Sequence, residues 1–287
     1  YQWRDKFVLN LSARRDGSSR FGSGNQFANF GAVGAAWIFS SEKWIKDKFS
    51  FLSFGKLRGS YGITGNDQIT DYGYLATYST TNYSYNGIPG LIPSRLANPN
   101  YSWETNKKLE ATIELGFFRN GILFSTSYYR NRSSNQLVGY ALPLITGFGS
   151  LQYNLPAIVQ NKGWEFDLTI SEVKFKSFSW SSEFNISFPQ NNLIAYPNLV
   201  ASPYANVYAI GKSLNIRKLF HFTGVDSNTG LYTFQDIDHD GNVLYPNDLM
   251  TLKKIAQDYY GGFQNSFKYK NLEFDIFCRG GRQAGRS

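Results

Sequence analysis

The sequence predicts an all-β fold: an antiparallel, up-and-down β-barrel of the kind that crosses a membrane. Three observations carry this. Apolar and polar residues alternate with period two in segment after segment, as they do when successive side chains leave opposite faces of a strand. Many of these segments run ~10 to 13 residues, beyond the usual strand of ~5 or 6 and long enough for the ~9 to 11 that a bilayer demands. Connections alternate between tight turns and long loops, which is the asymmetry of an outer-membrane barrel.

Taken in order, "KFVLNLSAR" (6–14) alternates around Phe7, Leu9 and Leu11. The overlapping stretch "ARRDGSSRFGSGN" (13–25) is hydrophilic. Its Asp-Gly and Ser-Ser pairs favour turns, through side-chain-to-backbone bonds and glycine's freedom at positive φ, so the chain is expected to reverse there. "FANFGAVGAAWIF" carries Phe27, Val33, Trp37 and Phe39; "KLRGSYGI" carries Leu57, Tyr61 and Ile63. In "KLEATIELGFF" (108–118), Leu109, Ala111, Ile113, Leu115 and Phe117 oppose Lys108, Glu110, Thr112, Glu114 and Gly116. "GILFSTSYY" follows with Ile122, Phe124 and Tyr128. "WEFDLTIS" sets Trp164, Phe166, Leu168 and Ile170 against Glu165, Asp167, Thr169 and Ser171. "FSWSSEFNISF" sets Phe178, Trp180, Phe184, Ile186 and Phe188 against Ser179, Ser181, Glu183, Asn185 and Ser187. "YYGGFQNSFKYK" contributes Phe263, Phe267 and Tyr269, and "LEFDIFC" sets Leu272, Phe274, Ile276 and Cys278 against Glu273, Asp275, Phe277 and Arg279. That makes about nine strands. Tight turns are expected at 119–121, near 173–178 and at 269–273, and long loops over 64–106, 132–160 and 189–257.

Composition agrees. Aromatics make up 17% of the 287 residues and charged residues only 17%. Tyr, Phe and β-branched residues suit strands. No apolar run approaches the ~18 residues of a membrane helix. Acidic residues on the polar faces suit a watery lumen. Trp3, Trp37, Trp44, Trp103, Trp164 and Trp180 fall near expected strand ends, where amphipathic rings form the interfacial girdle of a barrel. The net charge of +8 is spread along the chain, densest at Arg279, Arg282 and Arg286. No basic stripe or nucleic-acid motif accompanies it, so nucleic acid is not an expected partner. The single cysteine, Cys278, excludes an intrachain disulfide.

Several segments, in order, resemble one family. "RRDGSSRFG" (14–22), with Arg15, Asp16, Gly17, Ser18, Ser19, Arg20, Phe21 and Gly22, resembles a signature of the SusC/RagA-type TonB-dependent transporters of Bacteroidota outer membranes. "WIFSSEKWI" (37–45) resembles the family's aromatic strand end and periplasmic turn, and "LRGSYGITGNDQITDYGY" (57–74) its next run. "NPNYSWETNKKLEATIELG" (98–116), "NKGWEFDLT" (161–169) and "YYGGFQNSFKYKNLEFDIF" (259–277) continue the match. The resemblance implies a barrel of 22 strands around an N-terminal plug, importing bulky glycans, oligosaccharides or peptides. It also implies a SusD-like lipoprotein over the extracellular mouth, the TonB–ExbB–ExbD complex acting through the plug, and outer-membrane lipid around the barrel. The chain carries neither plug nor TonB box nor the family's aromatic-ended terminal strand, so residues 1–287 are expected to be a C-terminal portion of the barrel that does not close alone. On this resemblance 14–22 is an extracellular connection, braced by ion pairs among Arg14, Arg15, Asp16 and Arg20.

Candidate chemistry is sparse. Tyr72, Tyr74, Tyr83, Tyr85, Tyr153, Tyr204 and Tyr208 stand in the long loops, where they either stack on sugar rings or pack the loops. In "DIDHDGNVLYPND" (236–248), Asp236, Asp238 and Asp240 fall at positions one, three and five of a calcium loop, with Gly241 at six and the Asn242 carbonyl at seven. Position twelve is Asn247, with Asp248 one place late, so the oxygen shell is incomplete; the alternative is an ion-free Asp/Gly turn. No cofactor is otherwise required. Two histidines, one cysteine and no nucleophile elbow, zinc spacing or phosphate loop give catalysis no foothold. Two other readings compete: a surface-anchored, glycan-binding β-sandwich, with shorter strands and balanced loops, and a passive porin.

Overall fold

The computed structural model describes residues 1–284; Arg286 lies outside them. The main element is a single antiparallel sheet of ten strands. Its strands are β1 (Gln2–Trp3), β2 (Phe7–Gly17), β3 (Phe27–Trp37), β4 (Leu52–Asn66), β7 (Glu104–Phe117), β8 (Ile122–Ala141), β9 (Ser150–Phe175), β10 (Phe178–Ala195), β15 (Gln257–Tyr269) and β16 (Leu272–Gln283), adjacent in that order. A short helix, α1 (Lys43–Lys48), sits between β3 and β4. Three small two-stranded sheets stand apart in the connections: β5 (Thr77–Tyr85) with β6 (Ile88–Arg95), β11 (Ile216–Phe220) with β14 (Leu249–Lys254), and β12 (Phe222–Val225) with β13 (Tyr232–Phe234).

Pairing register keeps the alternating faces continuous across strands. One row runs Trp37, Leu57, Ile113, with Phe7 at its start. The neighbouring row runs Arg58, Thr112, Ser127, Glu165, Ser187. Among the described residues the apolar face has no second layer over it. Ile113 is 37% exposed, while the adjacent Thr112 is only 2% exposed. Leu9, Leu11, Val33, Leu57, Phe184, Phe188, Phe263 and Phe274 all lie on the open surface. The polar face is laced with charge pairs: Arg58 reaches Glu110 at 2.8 Å and Glu114 at 3.0 Å, and Lys56 reaches Glu114 at 3.5 Å. With no second sheet packed on the first among the described residues, the β-sandwich reading fails. Sandwiches bury their apolar faces against one another; this protein turns them outward.

The two ends of the sheet differ. At one end the turns are short: 4–6, 118–121, 176–177 and 270–271 separate consecutive strands. The same end carries the α1 connection, where Glu42 accepts from Lys6 at 2.6 Å and from the Trp37 indole at 3.4 Å. The other end carries the long connections.

Three expectations are corrected there. Residues 132–160 are not a long loop. β8 and β9 extend to 20 and 26 residues, and only 142–149 turns. At ~3.3 Å per residue, β9 far exceeds a hydrocarbon core of ~30 Å, so this hairpin projects well beyond it. β10 likewise continues to Ala195, so the last loop begins later than 189 and holds four short strands of its own. The Asp16-Gly17 pair is not the turn: β2 runs through Gly17, which pairs with Phe27, and the reversal falls at 18–26.

The tryptophans also separate. Trp37 ends β3 and Trp180 lies near the start of β10, but Trp44 is in α1 and Trp164 is inside β9. Trp180 shields an outward polar side chain, its indole N–H donating to Asn265 Oδ1 at 3.0 Å. In the 161–169 motif, Gly163 has a packing reason. A Cβ there would lie 2.8 Å from the Tyr129 hydroxyl and 2.8 Å from the Phe188 carbonyl oxygen, closer than real contacts allow.

Candidate functional site

The long-connection end is organised around one buried aromatic cluster, and three of the sequence motifs meet in it. Phe21 is fully buried and Tyr101 is 1% exposed. Their rings meet edge to face at 6.0 Å, and Phe21 lies 5.3 Å from Trp103, which in turn meets Phe30 at 5.5 Å. Burial pushes the Tyr101 hydroxyl's pKa up. Polar contacts close the cluster. The Trp103 indole donates to the Gln26 carbonyl at 3.3 Å, and Asn25 Nδ2 donates to the Pro99 carbonyl at 3.3 Å. Gly22 lies under the Tyr74 ring, where an added Cβ would come within 3.2 Å. Arg20 donates to Asp71 at 2.9 Å and to the Asp67 carbonyl at 3.0 Å.

The cluster is tied to the projecting β8–β9 hairpin by amide side chains. Asn98 Nδ2 donates to the Gln152 carbonyl at 2.8 Å, and Asn135 Nδ2 to the Trp103 carbonyl at 3.0 Å. Asn154 both accepts from Ser102 N–H at 2.9 Å and donates to the Ser102 carbonyl at 2.7 Å. The 14–22 signature is therefore a buried anchor for the neighbouring connections. Ion pairing among its own charges is a minor part of that. Arg14 pairs with Asp16 at 2.9 Å on the exposed strand, and Arg15 lies over the Phe27 ring at 5.0 Å. Only Arg20 reaches carboxylates of another segment. Tyr101, Trp103 and the amides Asn98, Asn135 and Asn154 carry this site; the first two and Asn98 fall in the 98–116 motif, which gives no sign of these contacts, and Asn135 and Asn154 read only as loop polarity.

The seven loop tyrosines divide. Tyr83 and Tyr85, at the end of β5, are 89% and 90% exposed and free. Tyr72 is exposed, and Tyr74 packs on Gly22. Tyr153 and Tyr204 flank Tyr140, with rings 5.6 and 5.9 Å away, and Tyr204 continues to Tyr208 at 5.7 Å and Tyr196 at 6.2 Å. Tyr204 and Tyr208 pack against the buried cluster of Ala157, Leu193, Tyr196 and Leu199, whereas Tyr153 keeps an exposed face.

In the 236–248 loop, Asp236, Asp238 and Asp240 each bring a carboxylate oxygen within 4.8 Å of the others. Each also accepts a backbone N–H: Asp236 from His239 at 2.7 Å and Gly241 at 2.8 Å, Asp238 from Asp240 at 3.3 Å, and Asp240 from Asn242 at 2.7 Å. Asp248 does not complete their shell. Its two oxygens take the N–H groups of Ile237 at 2.6 Å and Leu244 at 2.7 Å, and it is 1% exposed. Those bonds, Ile237 first, hold its carboxyl below the usual range. A depressed folded pKa contributes stability above the unfolded value of ~3.9, lost as pH falls through the lower folded value. Protection of the Ile237 and Leu244 amides from deuterium exchange, taken relative to the intrinsic rate at each pH, is therefore expected to fall as pH drops from about 4 through the lower folded value. Asp248→Ala should remove that pH dependence and raise exchange at both amides at neutral pH.

A lone sheet with an open apolar face, a charged opposite face, short turns at one end and anchored loops at the other defines a segment of an outer-membrane barrel. Comparison with known proteins narrows this. Residues 1–242 match the family model for the TonB dependent receptor-like β-barrel. TonB-dependent receptor P26 of Formosa agariphila is 29% identical over 98% of this chain and 30% of its own length. TonB-dependent receptor SusC of Bacteroides thetaiotaomicron is 25% identical over 97% of this chain and 30% of its own length. The solved RagAB peptide transporter superimposes with a TM-score of 0.81 at 26% identity, covering 95% of this chain and 31% of that one. The chain belongs to the TonB-dependent receptor β-barrel family and is SusC/RagA-like within it; such barrels lie in the outer membrane of Gram-negative bacteria. It spans about 30% of the length of the relatives it matches.

Proposed function

We propose that this chain is a C-terminal part of a 22-stranded barrel in an importer of bulky nutrients, glycans or peptides. The importer is driven by the TonB–ExbB–ExbD complex through a plug and works with a SusD-like lipoprotein at its extracellular mouth. It has no catalytic activity. The observation that carries the reading is the lone two-faced sheet: among the described residues the row of Trp37, Leu57 and Ile113 has no second layer over it, while the opposite face carries the Arg58–Glu110–Glu114 charge network. That distribution suits lipid on one side and a wet passage on the other. The exposed β5–β6 hairpin with Tyr83 and Tyr85 is available to a lipoprotein or ligand.

The test is uptake. Cells carrying the full-length protein should take up labelled oligosaccharide or peptide, and lose that uptake when TonB is deleted. Uptake that persists without TonB would favour the passive porin. Calcium at Asp236, Asp238 and Asp240 is proposed as a loop-stabilising ion. Protection of this loop from protease by added calcium, abolished in Asp238→Ala, supports it; unchanged cleavage removes it.

A further inference from the structure

The polar face of the sheet carries an apolar cavity where the 196–214 segment folds back over β8, β9 and β10. It measures about 310 Å³. Leu155, Ala157, Val159, Leu193, Tyr208 and Leu214 line it. Ala157, Val159 and Leu193 share the face of Glu165 and Asn185, so the cavity opens on the polar side of the sheet and away from its apolar surface. Two further lining residues are incompletely satisfied. Gln136 Oε1 and the Tyr196 hydroxyl are buried and accept or donate no hydrogen bond of ordinary geometry. Gln136 spends its Nε2 on the Ser133 carbonyl at 3.0 Å, which leaves the acceptor free. Glu104, also on the wall, adds a carboxylate already bonded to Asn66 and Asn106.

We propose that this cavity is a subsite for an apolar side chain of a peptide, whose backbone N–H donates to Gln136 Oε1. The inference rests on the importer reading and deepens it by choosing the substrate class. Buried polar groups are normally paired, and each exception needs an account. Here the free group is the Gln136 acceptor in a largely aliphatic and aromatic wall, so the missing partner is a donor with an apolar body. A leucine- or phenylalanine-sized side chain next to an amide N–H has that form. A pyranose fits poorly. Its ring carries several hydroxyls, most of which would be buried here against aliphatic carbon without partners.

The test uses the full-length transporter in detergent, exposed in parallel to a pool of random hexapeptides and a pool of oligosaccharides. Retained ligands are eluted and identified by mass spectrometry. Leu, Ile and Phe should be enriched at one position of the retained peptides. Leu214→Trp, which fills the cavity, should weaken retention by about 10- to 100-fold, the worth of one buried apolar side chain. Gln136→Leu keeps the volume and removes the acceptor, and serves equally if the tryptophan variant does not assemble; it too should weaken retention. Peptides retained without apolar enrichment, or retained equally by both variants, overturn the subsite and leave import standing. Retention of oligosaccharides alone overturns the subsite and the peptide class. Retention of neither pool, with normal nutrient uptake by cells lacking the gene, overturns the importer reading itself.

Discussion

Phe21→Ala is expected to loosen the whole long-connection end. The ring is fully buried between Tyr101 and Trp103, so truncation removes its transfer energy and leaves a cavity, together costing about 3–5 kcal/mol. The damage should spread along defined contacts. Trp103 would lose its packing on one face, and its carbonyl is held by Asn135 of the β8–β9 hairpin. Protease cleavage should therefore rise at 18–26 and at 96–103. The adjacent Arg20→Ala is the informative control. Its pairs with Asp67 and Asp71 are partly exposed, and such pairs contribute ~0.2–1 kcal/mol. If Arg20→Ala opens the loop as much as Phe21→Ala, the connection is braced by charge and the buried-anchor account is wrong.

Ile113→Arg is expected to destabilise the barrel in lipid by about 2–4 kcal/mol, the cost of a cation on the lipid face near the midplane. Ile113 is placed for this, about midway between the ends of the bilayer-length stretch that finishes at Phe117, on the row of Trp37 and Leu57. The same charge on the opposite face should be tolerated. Ser125 pairs across from Glu114 and donates to Asp167 at 3.3 Å, so Ser125→Arg places its guanidinium beside two carboxylates. Urea unfolding of the full-length receptor in phospholipid vesicles separates the two. Similar losses for both variants would mean that the faces do not differ in their surroundings.

The alternation of "KLEATIELGFF" and "FSWSSEFNISF" made the strands and their two faces legible, because period two is a local property of the backbone. The turn at 118–121 was legible for the same reason: Asn120 and Gly121 interrupt the pattern between two alternating runs. The β8–β9 extension was hidden. Its Asn, Ser, Gly and Pro content reads as loop, and those residues are strand here because the two segments pair with each other along their length from Ile122–Ile170 to Ala141–Ser150, with one bulge near Asn135. Asp16-Gly17 misled in the opposite direction, since a turn-favouring dipeptide is overridden by the ladder that pairs it with Ala28 and Phe27. The aromatic anchor was out of reach for a further reason. β3, β4 and the β5–β6 hairpin separate Phe21 from Tyr101 along the chain, and nothing in either motif states that they touch. The shared family resemblance marked both motifs as important without saying why; the packing supplies the reason.

The most direct measurement is the surroundings of successive residues on β7 in the full-length receptor, reconstituted in phospholipid. A nitroxide label is placed in turn at Leu109, Ala111, Ile113 and Leu115, and at Glu110 and Glu114. Collision with dissolved oxygen should dominate at the four odd positions, and collision with a water-soluble nickel chelate at the two even ones. Odd positions shielded from both reagents, as in a compact core, or a profile without alternation, would contradict the membrane-facing sheet on which everything else depends.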